Sequence, residues 1–333
     1  MGNCVDKSNP SSTAEIAPCD FVKTSETKTS VTVRLYGSAT STLTAYIRFA
    51  LVCKAVTVRF VPTGSTTIFG PELPFLEVGS DIVSGPRETL IRYIDTKFPQ
   101  PPQLVDSLDG FDEPVTLIAR ALMLQHRSLL WHLERMVRWV LDLTTRGGKK
   151  IVDPTVGSPR MEFRKFWNSY SNLLELMLEH AQMEERIVFS ILDKADRGIC
   201  KVANEEHARD LPIMNGIKED IKAIGVLDSG SAARQEALSN LCTRLKSLQE
   251  RCKEHFKEEE RDVLPLIEAL ELSKEKQMGV LEKCFAVMQL THSRLFSFLV
   301  EGLLPLEAMQ YLDLIISCRG EEEAASTLNK IFE

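Results

Sequence analysis

The sequence predicts an α+β protein with two folded parts, a small α/β module followed by a bundle of long helices. Between residues 31 and 98, runs with apolar residues at every second position alternate with helical stretches. Beyond a proline-rich segment, the apolar spacing becomes helical and remains so to the end of the chain. With 333 residues, of which 44% are hydrophobic, the chain is long enough for two or three domains with buried cores.

Composition and charge exclude several classes of protein. The formal net charge is −7, which argues against nucleic acid as a partner held by phosphate contacts. No apolar run approaches the ~18 residues that span a bilayer, and no secretory signal is present. The eight cysteines are scattered without a CxxC pair. We therefore expect a cytoplasmic protein with mostly buried free thiols.

Residues 1–30 are polar and rich in Ser, Thr and Lys, so we expect a disordered arm. Its first residues, MGNC, resemble an N-myristoylation signal with an adjacent palmitoylation cysteine. Gly2 would be acylated after loss of the initiator methionine, and Cys4 would carry the second chain that stable anchoring needs. Asp6 stands where the simple motif has Ser or Thr, and the alternative is an ordinary cytosolic start. The motif predicts an anchor on the cytosolic face of the plasma membrane or endomembranes.

The α/β module is predicted over residues 31–98. Its predicted elements are a strand near 31–35, a helix over 42–54, a strand at 56–60, a strand at 73–78 and a helix over 86–97. Pro86 suits the first turn of the last helix. This order of elements is typical of a small α/β sandwich.

Residues 99–112 begin with Pro99, Pro101 and Pro102 and predict a linker. Beyond it, we predict a four-helix bundle over residues 113–271, because four long helices with short connections form a bundle. The predicted helices lie near 113–145, 160–195, 199–224 and 231–271. Two or three further helices are expected in a C-terminal extension, residues 272–333.

The apolar stripe of each long helix, traced in steps of three and four, is interrupted by histidine. The ligand-type residues on these stripes are His126, His180, Glu184, His207, His255 and Glu259. A buried carboxylate costs several kcal/mol unless it is paired or binds a metal. In the two HxxxE segments the histidine and the glutamate are four residues apart, so they lie side by side on one helix face.

Each of these residues has a simpler interpretation when taken alone. A single histidine on an apolar stripe is more often a hydrogen-bonded core residue, one HxxxE is usually a surface pair, and Glu258–Glu260 resembles a solvated acidic run. Six such residues on four successive helices favour a metal centre instead. Imidazole and carboxylate donors suit iron, with manganese or zinc as alternatives. His132 lies off its stripe and His292 lies outside the bundle, so neither is predicted to be a ligand.

The stretches ALMLQHRSLL, LEHAQMEERIVFSIL, ANEEHARDL and CKEHFKEEERDVLPLIEAL, within about 115–271, closely resemble the four motif-bearing helices of the hemerythrin-like, HHE cation-binding family. The resemblance implies a non-haem di-iron site in an up-down bundle. It also implies the ligand set: Glu184 and Glu259 bridge the irons, His126 and His180 bind one ion, and His207 and His255 bind the other.

Oxygen-carrying members of that family have a fifth histidine on the third helix, one turn from its partner. Here the two positions are Ala203 and Leu211, which argues against reversible oxygen carriage. The pattern is closer to iron- or redox-sensing members, including regulatory ubiquitin-ligase subunits, although no F-box or RING segment is present. One iron would then keep a position open to oxygen, peroxide or nitric oxide. Pro212 is expected to kink the third helix, which makes His207 the least secure ligand.

Residues 32–98 resemble the thioredoxin-like N-terminal domain of glutathione transferases. Ser41 falls at the position of the glutathione-activating serine, and Pro74 matches the cis-proline turn that grips the peptide. The Glu-Ser pair that binds the γ-glutamyl end is replaced by Pro86 and Arg87, and the helical second domain is replaced by the bundle. A retained scaffold is therefore favoured over a transferase.

The sequence therefore favours a protein that binds iron and senses or buffers iron, oxygen or redox state at the cytosolic membrane face, through a protein partner that the sequence does not identify. Two alternatives remain open. One is a glutathione transferase-like enzyme that uses Ser41. The other is a structural interaction protein that docks partners through residues 273–333.

Overall fold

In the computed structural model, the described residues are 33–63, 73–100, 104, 115–146 and 159–332. The predicted arm, with Gly2 and Cys4, lies outside this part of the chain, as does most of the predicted linker. The α+β fold class predicted from the sequence is confirmed: a small sheet with helices precedes a large helical region.

The α/β module is a four-stranded sheet with two helices. Its elements are β1 (Val33–Gly37), α1 (Thr42–Cys53), β2 (Val58–Pro62), β3 (Phe75–Val78), β4 (Asp81–Ser84) and α2 (Arg87–Lys97). The strand order is β2-β1-β3-β4. Strand β1 pairs in parallel with β2 and antiparallel with β3, so that Leu35 lies between Phe60 and Leu76. This arrangement is compatible with the predicted thioredoxin-like module.

Strand β4 is not among the elements predicted from the sequence. It pairs with β3 through a tight turn at Gly79, where φ is +64° and a side chain would be strained. The strand has only four residues, and Ile82 is 72% exposed. A short edge strand with an exposed apolar residue lacks the inward alternation that identified the other strands.

Four long helices form the bundle, and each contacts two neighbours in the ring order α3, α4, α6, α7. The helices of this region are α3 (Leu117–Arg146), α4 (Pro159–Met183), α5 (Phe189–Ala195), α6 (Lys201–Gly225), α7 (Ala232–Asp262) and α8 (Leu264–Ala269). A π-helical turn, Glu184–Val188, joins α4 to α5. The helices α6 and α7 start and end close to the predicted bounds, except that α7 stops at Asp262, just before Pro265.

The C-terminal extension is more segmented than the two or three helices that the sequence predicted. Residues 274–332 form five helices and a final 3-10 turn: α9 (Lys274–Val287), α10 (Gln289–Ser293), α11 (Phe296–Glu301), α12 (Pro305–Cys318), α13 (Glu321–Asn329) and Lys330–Phe332. The breaks near Met288 and Leu295 fall on buried apolar residues, so no polar loop marks them in the sequence.

The C-terminal helices lie between the bundle and the α/β module. Helices α9, α11 and α12 contact α3, whereas α12 and α13 contact α1 of the module. Arg87 donates two hydrogen bonds to Asp313 of α12, at 2.6 and 2.9 Å, and its guanidinium lies 4.2 Å from the centroid of the Tyr46 ring. The extension therefore packs on both parts and connects them.

Five described cysteines are buried and Cys318 is partly buried, all as free thiols, which agrees with the sequence prediction. Cys4 and Cys19 lie outside the described residues. In the described part of the chain, no helix combines the length and the apolar character that crossing a membrane requires.

Candidate metal centre

All six ligand-type residues of the predicted centre come together inside the bundle. Each of the four long helices supplies one histidine: His126 on α3, His180 on α4, His207 on α6 and His255 on α7. The carboxylates come from the π turn after α4 (Glu184) and from the last turns of α7 (Glu259). His207 is the most accessible, with 11% of its side chain exposed, and the others are buried. In two pairs, His180 with Glu184 and His255 with Glu259, the histidine and the carboxylate lie one helical turn apart, as the HxxxE spacing predicts.

The ligand atoms form two sets of three, one of His126, His180 and Glu184 and the other of His207, His255 and Glu259. In the first set, Glu184 Oε1 lies 3.3 Å from His180 Nε2 and 3.6 Å from His126 Nε2. In the second set, Glu259 Oε2 lies 3.5 Å from His255 Nε2. Within either set the ligand atoms are no more than 4.8 Å apart.

The two sets share their carboxylates. Glu184 directs its other oxygen, Oε2, toward His207 Nε2 of the second set at 3.5 Å. Glu259 Oε2 likewise lies 3.5 Å from His126 Nε2 of the first set. Each carboxylate thus faces histidines of both sets, which is the arrangement that bridging of two neighbouring ions requires.

The outward nitrogen, Nδ1, of every site histidine has a hydrogen-bond acceptor. His180 Nδ1 donates to Gln125 Oε1 at 2.8 Å, and His207 Nδ1 donates to Glu185 at 3.0 Å. The corresponding acceptors are Glu206 for His255, at 2.7 Å, and Glu260 for His126, at 3.0 Å. Because an ionised carboxylate or an amide oxygen only accepts, the protons lie on Nδ1 and each Nε2 directs a lone pair inward.

These four acceptors form a ring around the bundle. Helix α3 supplies Gln125 to the histidine of α4, the π turn after α4 supplies Glu185 to α6, α6 supplies Glu206 to α7, and α7 supplies Glu260 back to α3. None of the four acceptors was predicted from the sequence. Each acceptor directly precedes or follows a predicted ligand in the sequence, and this proximity could have identified it. Each acceptor, however, accepts from the histidine of the next helix in the ring and not from its own sequence neighbour.

The inward-facing Nε2 atoms and carboxylate oxygens are better placed to bind a cation than to form hydrogen bonds with one another. Among the described residues, His126 Nε2, His180 Nε2, Glu184 Oε2 and both carboxylate oxygens of Glu259 are buried without a hydrogen-bond partner. His207 Nε2 and His255 Nε2 lie 3.1 Å apart, with a lone pair on each. Buried nitrogen and oxygen atoms without hydrogen bonds are costly, and metal ions relieve that cost. Donors of this kind, four imidazoles and two carboxylates, suit iron, manganese or zinc.

Burial also shifts the pKa values of five of the six site residues in the direction that favours their neutral forms. Removal from water, with the charge of Glu259 nearby, raises the pKa of Glu184 well above its usual range, and removal from water likewise raises that of Glu259. Burial lowers the pKa of His126, His180 and His207. These three histidines are therefore neutral and can bind a metal through Nε2 without losing a proton, whereas the carboxyl groups must lose protons to bind one.

The π turn positions Glu184. This carboxylate is four residues after His180 and lies on the same face, yet the helix that follows must turn Phe189 and Leu192 toward the core. A π turn holds extra residues per turn and so changes the phase of the helix at that point, and such turns are frequent at functional sites.

Helix α6 continues through Pro212 from Lys201 to Gly225, so the proline does not separate His207 from its helix.

The two remaining histidines have hydrogen-bond partners outside the centre. His132 Nε2 donates to the backbone oxygen of Phe298 at 2.7 Å, and burial lowers the pKa of this histidine to about 3. His292 contacts Met288 O and the Tyr311 hydroxyl. Among the described residues, neither histidine belongs to the two sets of ligand atoms.

In the α/β module, the predicted glutathione residues have structural roles. The Ser41 hydroxyl accepts the backbone N–H of Thr44 at 3.3 Å and so caps α1, and Pro74 O accepts from Ser84 at 3.2 Å. Arg87, at one of the two positions that the predicted resemblance assigns to γ-glutamyl binding, is paired with Asp313. Glutathione binding at Ser41 and Pro74 stays a prediction.

Comparison with known proteins gives one family. The family model of the hemerythrin HHE cation binding domain matches residues 117–267, a range that contains all six ligand-type residues. The comparison with curated proteins gave no match.

Proposed function

We propose that this protein, in which residues 117–267 form a hemerythrin HHE cation-binding domain, binds two non-haem iron ions and thereby senses or buffers iron, oxygen or redox state. The observation that supports this proposal is the set of buried, unpartnered acceptor atoms that face one another across the bundle. Glu184 and Glu259 would bridge the ions. His126 and His180 would bind one ion, and His207 and His255 the other.

The site residues would have two different roles in such a centre. The inward Nε2 atoms and the carboxylates bind, and the outer acceptors hold each imidazole in one tautomer and one orientation. Bound iron supplies redox chemistry with small oxidants, which carboxylate and imidazole ligands permit. The buried, mostly apolar surroundings exclude water from the His126 and His180 side, whereas His207 is partly exposed and marks the more accessible side.

Metal content tests the proposal. The protein, purified without added metal, is expected to contain about two transition-metal ions per chain, and the His180→Ala/His255→Ala variant is expected to lose them because it removes one ligand from each set. The control is His132→Gln, a substitution outside the centre that keeps a donor for Phe298 O and should retain the metal. Fewer than about one ion per chain, or equal binding by the double variant, would refute the proposal.

We further propose that one ion keeps a position open to small molecules, because Ala203 and Leu211 stand where a fifth histidine would lie. Ferrous protein, prepared without air, is expected to change its optical spectrum on addition of oxygen, nitric oxide or hydrogen peroxide. If none of the three changes the spectrum, sensing of these molecules is wrong and iron buffering is favoured.

We also propose the cytosolic membrane face as the place of action, on the basis of Gly2 and Cys4 as acyl acceptors. In cells, Gly2→Ala should prevent myristate incorporation and move the protein to the soluble fraction, and Cys4→Ser should weaken membrane association. Ser8→Ala, a change in the same polar segment that touches neither acceptor, serves as the control. Equal membrane association of all four proteins would exclude the anchor.

A further inference from the structure

A buried chain of hydrogen bonds leads from the metal centre into the C-terminal helices. His180 Nδ1 donates to Gln125 Oε1 at 2.8 Å, and Gln125 Nε2 donates to the Tyr311 hydroxyl of α12 at 3.1 Å. The Tyr311 hydroxyl in turn donates to His292 Nε2 at 3.0 Å, while His292 Nδ1 donates to Met288 O at 2.9 Å. All four side chains are at least 96% buried, so water does not compete with these bonds.

The direction of every bond in this chain is fixed by its neighbours. Gln125 must present its oxygen to His180, which leaves its amide nitrogen for Tyr311. Tyr311, which already accepts from Gln125, has its own proton for His292. A rotation of Gln125 or of Tyr311 breaks two bonds at once, so the position of His180 is tied to the position of α12.

The same helix holds the α/β module. Asp313, two residues after Tyr311, accepts two hydrogen bonds from Arg87 and one, at 3.3 Å, from the hydroxyl of Tyr46 on α1. Residues two apart on an α-helix point in nearly opposite directions. Helix α12 therefore faces the metal centre with Tyr311 and the module with Asp313.

A second connection reinforces the first. Glu179, which directly precedes His180, accepts the backbone N–H of Leu290 at 3.0 Å and that of Thr291 at 2.6 Å, together with the Thr291 hydroxyl. This carboxylate thereby holds the first turn of α10, the helix that carries His292. Both sides of the Tyr311–His292 pair are thus attached to residues that contact or adjoin a predicted ligand.

We propose that helix α12 couples occupancy of the metal centre to the α/β module, with Gln125 and Tyr311 as positioning residues for His180 and Asp313 as the contact to the module. This inference rests on the proposed iron-binding function. A metal that fixes His180 favours the arrangement in which Gln125 and Tyr311 are both bonded, and α12 presents Asp313 to Arg87 in that arrangement. By linkage, whatever tightens docking of α12 also tightens metal binding, by the same factor.

Hydrogen–deuterium exchange of the full chain, with and without Fe(II) under anaerobic conditions, tests the coupling. In the unaltered protein, Fe(II) should slow exchange in the bundle, in α12 and in α1 and α2 of the module. Tyr311→Phe keeps the ring and removes the hydroxyl, so Fe(II) should slow exchange in the bundle only. Asp313→Asn should keep the protection of α12 and lose that of α1 and α2. Since one hydrogen bond is involved, Tyr311→Phe should weaken Fe(II) binding roughly 2- to 10-fold.

The matched control is Ser128→Ala. Ser128, also buried on α3, donates to Leu299 O of the C-terminal extension at 2.7 Å but takes no part in the Gln125 chain. The Ser128→Ala variant should be less stable than the unaltered protein, but Fe(II) should still slow hydrogen–deuterium exchange in the module. A second readout uses Co(II)-loaded protein: the paramagnetically shifted Nδ1–H proton resonance of His180 should move in Tyr311→Phe and stay in place in Ser128→Ala.

The outcomes separate this inference from the function on which it rests. Iron bound with normal stoichiometry but without protection of α1 and α2 overturns the coupling and leaves the proposed function intact. Equal protection in Tyr311→Phe and the unaltered protein overturns it as well. An unaltered protein that binds no Fe(II) overturns both.

Discussion

At the scale of single residues, the six inward-facing ligand-type residues could be predicted from the sequence, and the four outer acceptors could not. The apolar stripes predict that His126 and His255 face the bundle interior, because helical periodicity alone determines which face is buried. The acceptors Glu206 and Glu260 lie beside the stripes, and their partners belong to neighbouring helices. Those contacts depend on how the helices are rotated and shifted against each other, which a single sequence does not specify.

One acceptor offers a direct test of the acidic run at the end of α7. Glu260 accepts from His126 Nδ1, whereas Glu258, in the same run, has no contact to the site histidines. Glu260→Ala should weaken metal binding about 10- to 100-fold, since outer acceptors orient the ligand and increase its basicity. Chelator competition measures the affinity. Glu258→Ala serves as the control, and equal effects of the two substitutions would mean that only the total negative charge matters.

The shifted carboxyl pKa values predict that metal affinity rises with pH. Burial raises the pKa of Glu259 to about 8, and it raises that of Glu184 well above its usual range, so below pH 8 the metal-free site holds protons that binding must release. Affinity should therefore increase between pH 6 and pH 8, by roughly tenfold per pH unit for each proton released. His126 and His180 add nothing to this dependence, because burial lowers the pKa of each, and neutral imidazoles have no proton to release from the inward Nε2.

Anaerobic Fe(II) titration against a chelator at pH 6, 7 and 8 measures this change. Calorimetry in two buffers with different enthalpies of ionisation counts the released protons independently. An affinity that is constant over this range, with no proton release, would show that the carboxylates are already ionised before the metal binds.

At the scale of helices and strands, the long elements were predictable and the short ones were not. The predicted 42–54 and 86–97 helices agree with α1 and α2 to within a residue or two, because each has several turns of apolar periodicity. Strand β4 and helices α10 and α11 have four to six residues. Elements so short are stabilised by tertiary contacts, which local sequence does not encode. Helix α6 continues through Pro212, so the proline does not end the helix, and the kink expected there stays a prediction.

Two glycine substitutions are predicted to change the stability in opposite directions, because Gly302 lies at the close contact between α11 and α3 and Gly279 does not. At Gly302, just after α11, an added Cβ would lie 2.6 Å from Ser128 Oγ and 2.8 Å from Ser128 O, which is backbone and cannot yield. Gly302→Ala should lower the free energy of unfolding by about 1–3 kcal/mol. Gly279, inside α9, has no atom within 4 Å of such a Cβ.

Gly279→Ala is therefore the matched control and should raise the free energy of unfolding by about 0.5–1 kcal/mol, because alanine favours the helix. Urea denaturation measures both changes. If both variants lose stability to the same extent, the approach of α11 to α3 is looser than these distances indicate.

At the scale of the whole molecule, the α/β module, the C-terminal helices and the bundle share one continuous apolar core. The sequence predicted the module and the bundle separately, and it predicted a C-terminal extension without a position for it. The contact of Arg87 with Asp313 spans 226 residues of sequence, and nothing local at either end identifies the other. Periodicity predicts which face of an element is buried, but not which distant element covers that face.

A shared core predicts that the module and the bundle unfold together. Three buried cysteines report on the three regions: Cys53 in α1, Cys252 in α7 and Cys284 in α9. Their labelling by a thiol reagent in increasing urea, followed by mass spectrometry, should give the same midpoint for all three. Cys318, which is only partly buried, should react at lower urea and confirms that the reagent detects exposure. A separate, earlier midpoint for Cys53 would show that the module unfolds independently.

The ring of outer acceptors has a consequence for the topology of the bundle. Four helices of similar length can be wound in either of two mirror-related orders, and apolar stripes alone distinguish poorly between them. The ring closes only when each helix has as its neighbour the one whose histidine its acceptor reaches, as α3 has α4 and α7 has α3. A bundle of the opposite hand, or with one helix shifted by a turn, would leave buried imidazole N–H groups without acceptors. The polar ring thus selects a single handedness and a single axial alignment for helices that hydrophobic packing alone would leave ambiguous.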